Sequence, residues 1–259
     1  MNTATCCPVV ELRQYTLHGG ARETLIGLFD REFVETQETC GMRVIGQFRD
    51  LDNPDRFVWL RGFPDMPRRA QALAAFYGGA VWKAHREAAN ATMVHSDNVL
   101  LLRPVAEGAG FDLRGATRAA IATQDMGNEL VIATIYAFDA PVDADFLAFF
   151  TREVEPVLRE TGAPPLARLV TEYAANTFPA LPVREGEHMF VWFAAFADHA
   201  AYARHVAALA QSPRWRGAIA PALSRYLLQP PQTLRLAPTS RSLLRGMRRI
   251  LTDSIGDQP

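Results

Sequence analysis

Phe57-Val58-Trp59-Leu60-Arg61-Gly62-Phe63 decides the fold, because a variant of this stretch returns as Phe190-Val191-Trp192-Phe193-Ala194-Ala195-Phe196. The two stretches lie 133 positions apart (57 to 190). A second gapless alignment, 121 positions apart (15 to 136), pairs Tyr15 with Tyr136 and Phe29 with Phe150. Self-similarity of this kind indicates that one structural unit occurs twice in the chain.

The first copy has the pattern of a βαββαβ unit, with the element order of a ferredoxin-like split βαβ. Alternating residues predict its strands and helical spacing predicts its helices. The predicted strands are 9–17, 43–49, 56–63 and 98–103, and the predicted helices are 22–39, 66–77 and 81–92. We expect a first unit at 9–104, a linker at 105–129, a second unit at 130–238 and a basic tail at 239–259.

The second copy is 12 residues longer than the first between the two alignments (133 minus 121). Four of these residues fall at Pro164-Pro165 and eight in the loop around 178–186, because turns tolerate insertions. Pro156 lies inside a predicted helix and should kink it. The linker is rich in Gly and Ala, and we expect it to run along the surface.

The repeated strands are apolar on both faces. Phe57, Trp59 and Phe63 face one way, and Val58 and Leu60 face the other. An antiparallel sheet with one solvated face would be polar on one side. The sequence therefore predicts an α+β fold in which tandem ferredoxin-like βαββαβ units pack sheet on sheet, with helices outside. This arrangement is a dimeric α/β barrel built within one chain.

Composition narrows the functional class. The chain has 259 residues, 49% of them hydrophobic and 21% charged, which is typical of a soluble globular protein. Its net charge of -1 argues against nucleic-acid binding, which needs a basic surface. Lys83 is the only lysine, which fits either a GC-rich genome or many arginine sites for anions. There is no long apolar run and no signal-peptide pattern, so we expect a cytoplasmic protein.

The sequence resembles the NIPSNAP family over nearly all of the chain past Pro8. The motifs of the resemblance are Val10-Glu11-Leu12-Arg13-Gln14-Tyr15-Thr16-Leu17, Gly46-Gln47-Phe48, Phe57 to Phe63, Trp82-Lys83-Ala84-His85-Arg86, Asn98 to Pro104 and Leu234 to Ser242. The resemblance implies the dimeric α+β barrel fold but no particular activity. The wider superfamily of such barrels includes small monooxygenases, haem degraders and isomerases, which work in a pocket between sheet and helices.

His85, Arg13 and Tyr15 are the candidate catalytic residues. His85 shares a helix face with Trp82, and a histidine there could exchange protons near neutral pH. Arg13 and Tyr15 share a strand face with Glu11 and could orient an anionic or carbonyl group. The second copy has Ala218, Thr134 and Ile132 in place of His85, Arg13 and Glu11. The alternatives are a surface histidine and an Arg-Glu pair that spans a barrel seam.

Six further residues complete the predicted pocket of the first unit as substrate-binding candidates: Glu11, Arg49, Trp59, Arg61, Trp82 and Asn90. Because Trp59 and Trp82 recur as Trp192 and Trp215, core packing is the alternative for both tryptophans. Arg49, Arg61 and Asn90 could equally be structural or solvated.

Motifs for common cofactors and metals are missing. The sequence contains no dinucleotide fingerprint, phosphate loop, Cys-x-x-Cys or His-Glu-x-x-His, so we expect no cofactor and no metal. Three cysteines do not make a disulfide framework, and adjacent residues such as Cys6 and Cys7 do not easily bridge. We expect these two to be free thiols in a mobile tail.

Residues 240–251 have the spacing of a basic amphipathic helix, which could lie on an anionic membrane or a partner, or dock on its own barrel. Two functional hypotheses follow. The first is a cofactor-independent small-molecule enzyme or binder, monooxygenase- or isomerase-like if it is an enzyme. The second is a non-catalytic interaction or membrane-associated scaffold. We expect a homo-oligomer, a small-molecule ligand and no nucleic acid as partners.

Overall fold

The computed structural model describes residues 6–121, 123 and 127–245. The first unit contains β1 (Val9–Leu17), α1 (Arg22–Leu28), a π-helical turn (Phe29–Phe33), α2 (Val34–Thr39), β2 (Arg43–Asp50), β3 (Arg56–Phe63), α3 (Met66–Gly78), α4 (Ala80–Asn90) and β4 (Met93–Pro104). The second contains β5 (Leu130–Phe138), α5 (Ala144–Phe149), a π-helical turn (Phe150–Val154), α6 (Glu155–Glu160), β6 (Ala167–Thr171), β7 (His188–Phe196), α7 (His199–Gln211), a π-helical turn (Trp215–Ile219), α8 (Ala220–Tyr226) and β8 (Gln232–Pro238).

These eight strands close into one antiparallel barrel in the order β1-β3-β2-β8-β5-β7-β6-β4. Each unit contributes four neighbouring strands, and the units meet at the β2–β8 and β4–β6 pairs. Closure removes the exposed sheet edges that a single four-stranded unit would leave. The predicted intrachain barrel of two ferredoxin-like units is confirmed.

Strand register confirms the duplication residue by residue. Arg13 pairs with Trp59 in the first unit, and Thr134 pairs with Trp192 at the matching place in the second. Helix ends repeat as well: the Asp65 side chain accepts a hydrogen bond from the backbone of α3, and Asp198 does the same for α7. A side-chain oxygen at this position satisfies a backbone N–H group that the first turn leaves unpaired.

Apolar side chains form three cores, which are the barrel interior and the layer between sheet and helices in each unit. Val58 and Leu60 point into the barrel, where they share one core with Val191 and Phe193 of the other unit. Phe57 lies under the helices of the first unit. The strands are therefore apolar on both faces because one face lines the shared interior and the other carries helices.

The linker does not stay on the surface, contrary to our expectation. Ala109, Phe111 and Leu113 are buried, and Phe111 and Leu113 belong to the barrel core. The Phe111 ring lies 5.0 Å from the Phe193 ring. The Gly- and Ala-rich composition indicated a surface linker, but Phe111 and Leu113 are large enough to pack in the barrel interior.

The expectation of free thiols at the N-terminus is also wrong. A disulfide joins Cys6 to Cys7. Cys7 is buried against Gly62, where an added Cβ would approach its sulfur to 2.3 Å. The Cys6 backbone N–H donates to the Phe111 carbonyl (3.1 Å), so this segment is pinned to the barrel and to the linker.

The described part of the tail is not helical. Residues 240–245 form turns, Leu243 and Leu244 enter the barrel core, and Arg241 is buried with an ion pair to Glu35. The predicted amphipathic helix is therefore wrong for this part, and residues 246–251 lie outside the described residues. No helix in the described ranges has the length and apolar character needed to span a bilayer.

Candidate functional site

A row of polar residues faces the helices of the first unit. Glu11, Arg13 and Tyr15 alternate along β1 on the side away from the barrel interior. In the neighbouring strand β3, Arg61 lies opposite Glu11, and Trp59 lies opposite Arg13. The sheet register therefore brings five of the predicted site residues together.

One carboxylate binds three guanidinium groups in this layer. Glu11 Oε2 accepts from Arg13 Nη1 at 2.6 Å and from Arg61 Nε at 2.7 Å. Glu11 Oε1 accepts from Arg69 Nε at 2.7 Å. All four side chains are at most 1% exposed, so water contributes almost nothing to their solvation. We call Glu11, Arg13, Arg61 and Arg69 the charge cluster.

The charge cluster carries three positive charges against one negative charge. Glu11 is the only carboxylate that forms ion pairs with these arginines in the described part of the chain. Arg61 Nη2 and Arg69 Nη2 are buried without a hydrogen-bond partner, and so is Trp59 Nε1. Buried charge of one sign with unpartnered donors is costly unless an anion completes it.

Burial and the neighbouring arginines determine the protonation states of Glu11 and Tyr15. Burial alone would raise the pKa of the Glu11 carboxyl, but Arg61, Arg13 and Arg69 outweigh it and hold that pKa well below its usual range. Burial raises the pKa of the Tyr15 hydroxyl, and Arg13 offsets this only in part. Tyr15 accepts a hydrogen bond from Arg13 Nε (2.9 Å), so its own proton is free to be donated.

A small cavity of about 30 Å³ adjoins the charge cluster, between sheet and helices. Its walls include Tyr15, Trp59, Gln37, Tyr77 and Trp82. Gln37 Oε1 accepts from Arg61 Nη1 at 3.1 Å, and the Arg61 guanidinium lies 6.0 Å from the Tyr77 ring, so cavity and cluster are neighbours. The volume is that of a site for about one water molecule.

Three predicted site residues lie elsewhere. His85 is 35% exposed on α4, with its Nε2 3.5 Å from Glu32 Oε2, and Phe33 stands between it and the cavity. Arg49 forms an ion pair with Glu23 (2.5 Å). Asn90 is exposed at the end of α4. Trp82, by contrast, lies on the cavity wall.

Sequence reasoning missed the residues that come from helices and from the other unit. Arg69 reaches Glu11 from α3, and Gln37 reaches Arg61 from α2. Asn176 Oδ1 and Thr177 Oγ1 of the second unit accept from Arg69 Nη1 at 3.0 and 3.2 Å. One signal was available for Arg69: at the spacing of 133, the second copy has Tyr202 there.

The second unit has the same backbone register without the charges. Ile132 and Ala194 pair where Glu11 and Arg61 pair, and Thr134 replaces Arg13. Tyr136 and Trp192 remain, both buried. The fold therefore does not need the charge cluster, since one of its two units forms without it.

Within the described ranges, no cluster of His, Cys, Asp and Glu side chains is suited to hold a metal ion. The protein is thus an α+β barrel whose first unit contains a buried, electropositive site. The charge cluster and the adjoining cavity form this site.

Residues 10–107 match the family model NIPSNAP. The match covers nearly the whole first unit, which is therefore similar to NIPSNAP domains. None of the curated proteins matches the chain.

Two solved structures share the fold over more than nine-tenths of the chain, and a third is similar to the first unit in sequence. A proposed monooxygenase from Fusobacterium nucleatum is 10% identical, with 93% of this chain and 97% of that chain covered and a TM-score of 0.54. An anthrone oxidase-like protein is 11% identical, with 92% and 93% covered and a TM-score of 0.52. A NIPSNAP-like domain protein from Burkholderia xenovorans is 26% identical over 38% of this chain and 85% of that chain, with a TM-score of 0.35.

Proposed function

We propose that the first unit binds a small organic anion at the charge cluster, as the site of a cofactor-independent enzyme or of a small-molecule binding protein. The observation that carries this proposal is the net positive charge of four fully buried side chains, in which Arg61 Nη2 and Arg69 Nη2 lack partners. A carboxylate or an enolate would supply the missing acceptors. Charge-assisted hydrogen bonds to such an anion are about twice as strong as neutral ones.

The proposal gives distinct roles to the residues of the site. Arg13, Arg61 and Arg69 stabilise negative charge, and Tyr15 donates a hydrogen bond to the anion. Glu11 is unsuited to act as a base, because its lowered pKa keeps it ionised but weakly basic. Proton exchange by His85 remains part of the proposal and requires a ligand that extends past Phe33.

If the protein is an enzyme, stabilisation of an enolate by guanidinium groups is the chemistry that this site favours. An enolate is the electron-rich form in which carbon compounds isomerise or react with oxygen. Two structural neighbours are named as a proposed monooxygenase and as an anthrone oxidase-like protein, and both names refer to reactions with oxygen.

Isothermal titration calorimetry with sodium acetate tests the proposal. We expect saturable binding at one site per chain and at least about tenfold weaker binding by Arg61→Met, the equivalent of about 1.4 kcal/mol. Arg168→Met is the matched control, because Arg168 pairs with Glu155 in the second unit and lies outside the site. Equal binding by Arg61→Met and Arg168→Met would refute the proposal.

A further inference from the structure

The loop formed by residues 172–187 leaves its own unit and covers the first. It joins β6 to β7, and its Leu181 and Val183 pack on the helix-facing core of the first unit. The Arg184 backbone N–H donates to the Val99 carbonyl at 2.9 Å. We call residues 172–187 the covering loop.

The first copy has no counterpart of the covering loop. Five residues (51–55) join β2 to β3, whereas sixteen (172–187) join β6 to β7. The loop is eleven residues longer than its counterpart (16 minus 5), and the insertion that the sequence predicts around 178–186 lies within it, over the site of the other unit. An insertion that serves only its own unit would not need to contact the helices of the other one.

At the tip of the covering loop, three consecutive residues meet the site. Asn176 and Thr177 present two oxygen atoms to Arg69 Nη1. Phe178 stacks on Tyr77, with ring centres 5.9 Å apart and an angle of 26° between the rings. Asn176 Oδ1 also accepts from the Phe178 backbone N–H at 3.0 Å, which fixes the oxygen beside the ring.

Two oxygen acceptors on a guanidinium, together with an aromatic ring stacked on Tyr77, resemble a carboxylate that carries an aromatic ring. We propose that Asn176-Thr177-Phe178 occupies the place of such a ligand in the free protein, and that the site takes carboxylates that carry an aromatic ring. This inference rests on the proposed function. It adds the aromatic group and names three specificity-determining residues from the second unit.

The charge and the size of an aromatic carboxylate both require that it displace the covering loop. Asn176 and Thr177 offer neutral oxygens to Arg69, whereas a carboxylate offers ionised ones, which bind a buried guanidinium more strongly. A cavity of about 30 Å³ has no room for an aromatic ring. A ring can therefore be accommodated only where Phe178 now lies, against Tyr77.

Calorimetry with phenylacetate tests this inference on the full chain. Cyclohexylacetate has the same charge without an aromatic ring, and 2-phenylethanol has the ring without the charge. We expect phenylacetate to bind more tightly than either. If the tip occupies the site nine-tenths of the time, Phe178→Ala and the double variant Asn176→Ala/Thr177→Val should bind phenylacetate about tenfold more tightly.

Tyr173→Ala is the control within the covering loop, because Tyr173 is half exposed and bonds to His188 rather than to the site. Its phenylacetate affinity should equal that of the unmodified chain. Should a tip variant fail to fold, hydrogen exchange on the unmodified chain provides the same test. Phenylacetate should accelerate exchange at the Phe178 and Leu181 amides, which are hydrogen-bonded within the loop.

Two results would overturn the inference and leave the proposed function intact: tip variants that bind phenylacetate no more tightly, or cyclohexylacetate that binds as well as phenylacetate, while acetate binding still depends on Arg61. Unchanged or slower exchange at the two amides in the presence of bound phenylacetate would overturn it equally. If no carboxylate binds to any form of the protein, the proposed function fails as well.

Discussion

Glu11 shows most clearly what a single buried residue does in this protein. Its two oxygens neutralise part of the charge of three arginines that have no other carboxylate partner in the described chain. Removing the carboxylate charge would leave three buried guanidinium groups uncompensated. A buried ion pair that loses one partner is destabilised far more than an exposed one.

Glu11→Gln should therefore lower the free energy of unfolding by about 3–5 kcal/mol, as for other buried pairs that lose a partner. Glu23→Gln, which breaks the exposed pair with Arg49, should cost less than about 1 kcal/mol. Chemical denaturation at pH 7 measures both. Comparable losses for the two variants would contradict the assignment of the cluster.

The lowered pKa of Glu11 also predicts a pH dependence. The folded-state pKa lies below the unfolded value of 4.5, so the unfolded chain takes up this proton first as the pH falls. The stability contributed by Glu11 is present above pH 4.5 and decreases below it. Between pH 7 and pH 3, the free energy of unfolding should fall less steeply for Glu11→Gln than for the unmodified chain. Identical slopes would argue against a lowered pKa of Glu11.

Tyr15 and Tyr136 form a natural matched pair, because both are buried at the same register position and only Tyr15 lies beside arginine. Burial raises the pKa of Tyr136 to about 12, so it is also protonated at neutral pH. Tyr15→Phe should weaken acetate binding about 10- to 100-fold, since a hydrogen bond to a charged group contributes about 1.5–3 kcal/mol. Tyr136→Phe should have no effect in the same titration, and an equal effect would place the site elsewhere.

At the scale of elements, the first helix of each unit contains a π-helical turn at the same place. The turns are Phe29–Phe33 and Phe150–Val154, and Phe29 and Phe33 line the cavity. The sequence predicted a kink in the second unit because of Pro156. The turn is there and ends at Val154, two residues before the proline, but the first unit has the same turn without a proline. The packing that the two units share therefore explains the turn better.

Pro156→Ala should therefore leave the turn in place. Pro156 is the second residue of α6, and the first turn of a helix is where proline is best tolerated. We expect a loss of about 0.4–1 kcal/mol of stability from the freer unfolded chain. Thermal denaturation measures it. A loss above about 3 kcal/mol would mean that the proline itself holds the turn.

The apolar spacing of the tail predicted a helix, but in the described residues tertiary contacts determine its conformation. Leu243 and Leu244 fit a helical stripe, but Arg241 is anchored to Glu35 and the Leu244 backbone N–H donates to the Ile45 carbonyl at 2.9 Å. These contacts hold both leucines in the barrel core. Leu244→Ala should cost about 2–5 kcal/mol in chemical denaturation, as for other buried leucines. A loss below 1 kcal/mol would indicate that the tail does not pack there.

At the scale of the whole molecule, the barrel could be predicted from strands that are apolar on both faces. Each face of such a strand has to be buried, one against the other sheet and one against helices. Alternation also placed Glu11, Arg13 and Tyr15 on one face. The contribution of Arg69 could not be predicted, because it depends on where α3 crosses the sheet. The covering loop was visible only as extra length, and no local pattern indicates which unit a loop will cover.

The duplication offers a test of the central claim, that the charge cluster serves binding and not folding. The second unit shows which residues the same register accepts without charge. Glu11→Ile, Arg13→Thr, Arg61→Ala and Arg69→Tyr together convert the site to the residues of the second unit. Replacing buried ionic groups by apolar ones is often neutral or stabilises by about 1–4 kcal/mol.

The decisive measurement is guanidinium chloride unfolding of this fourfold variant at pH 7, with acetate titration of the same sample. We predict an unfolding midpoint equal to or above that of the unmodified chain, together with complete loss of acetate binding. A lower midpoint that corresponds to a loss of several kcal/mol in the free energy of unfolding would contradict the account. Acetate binding that survives in the fourfold variant would contradict it as well.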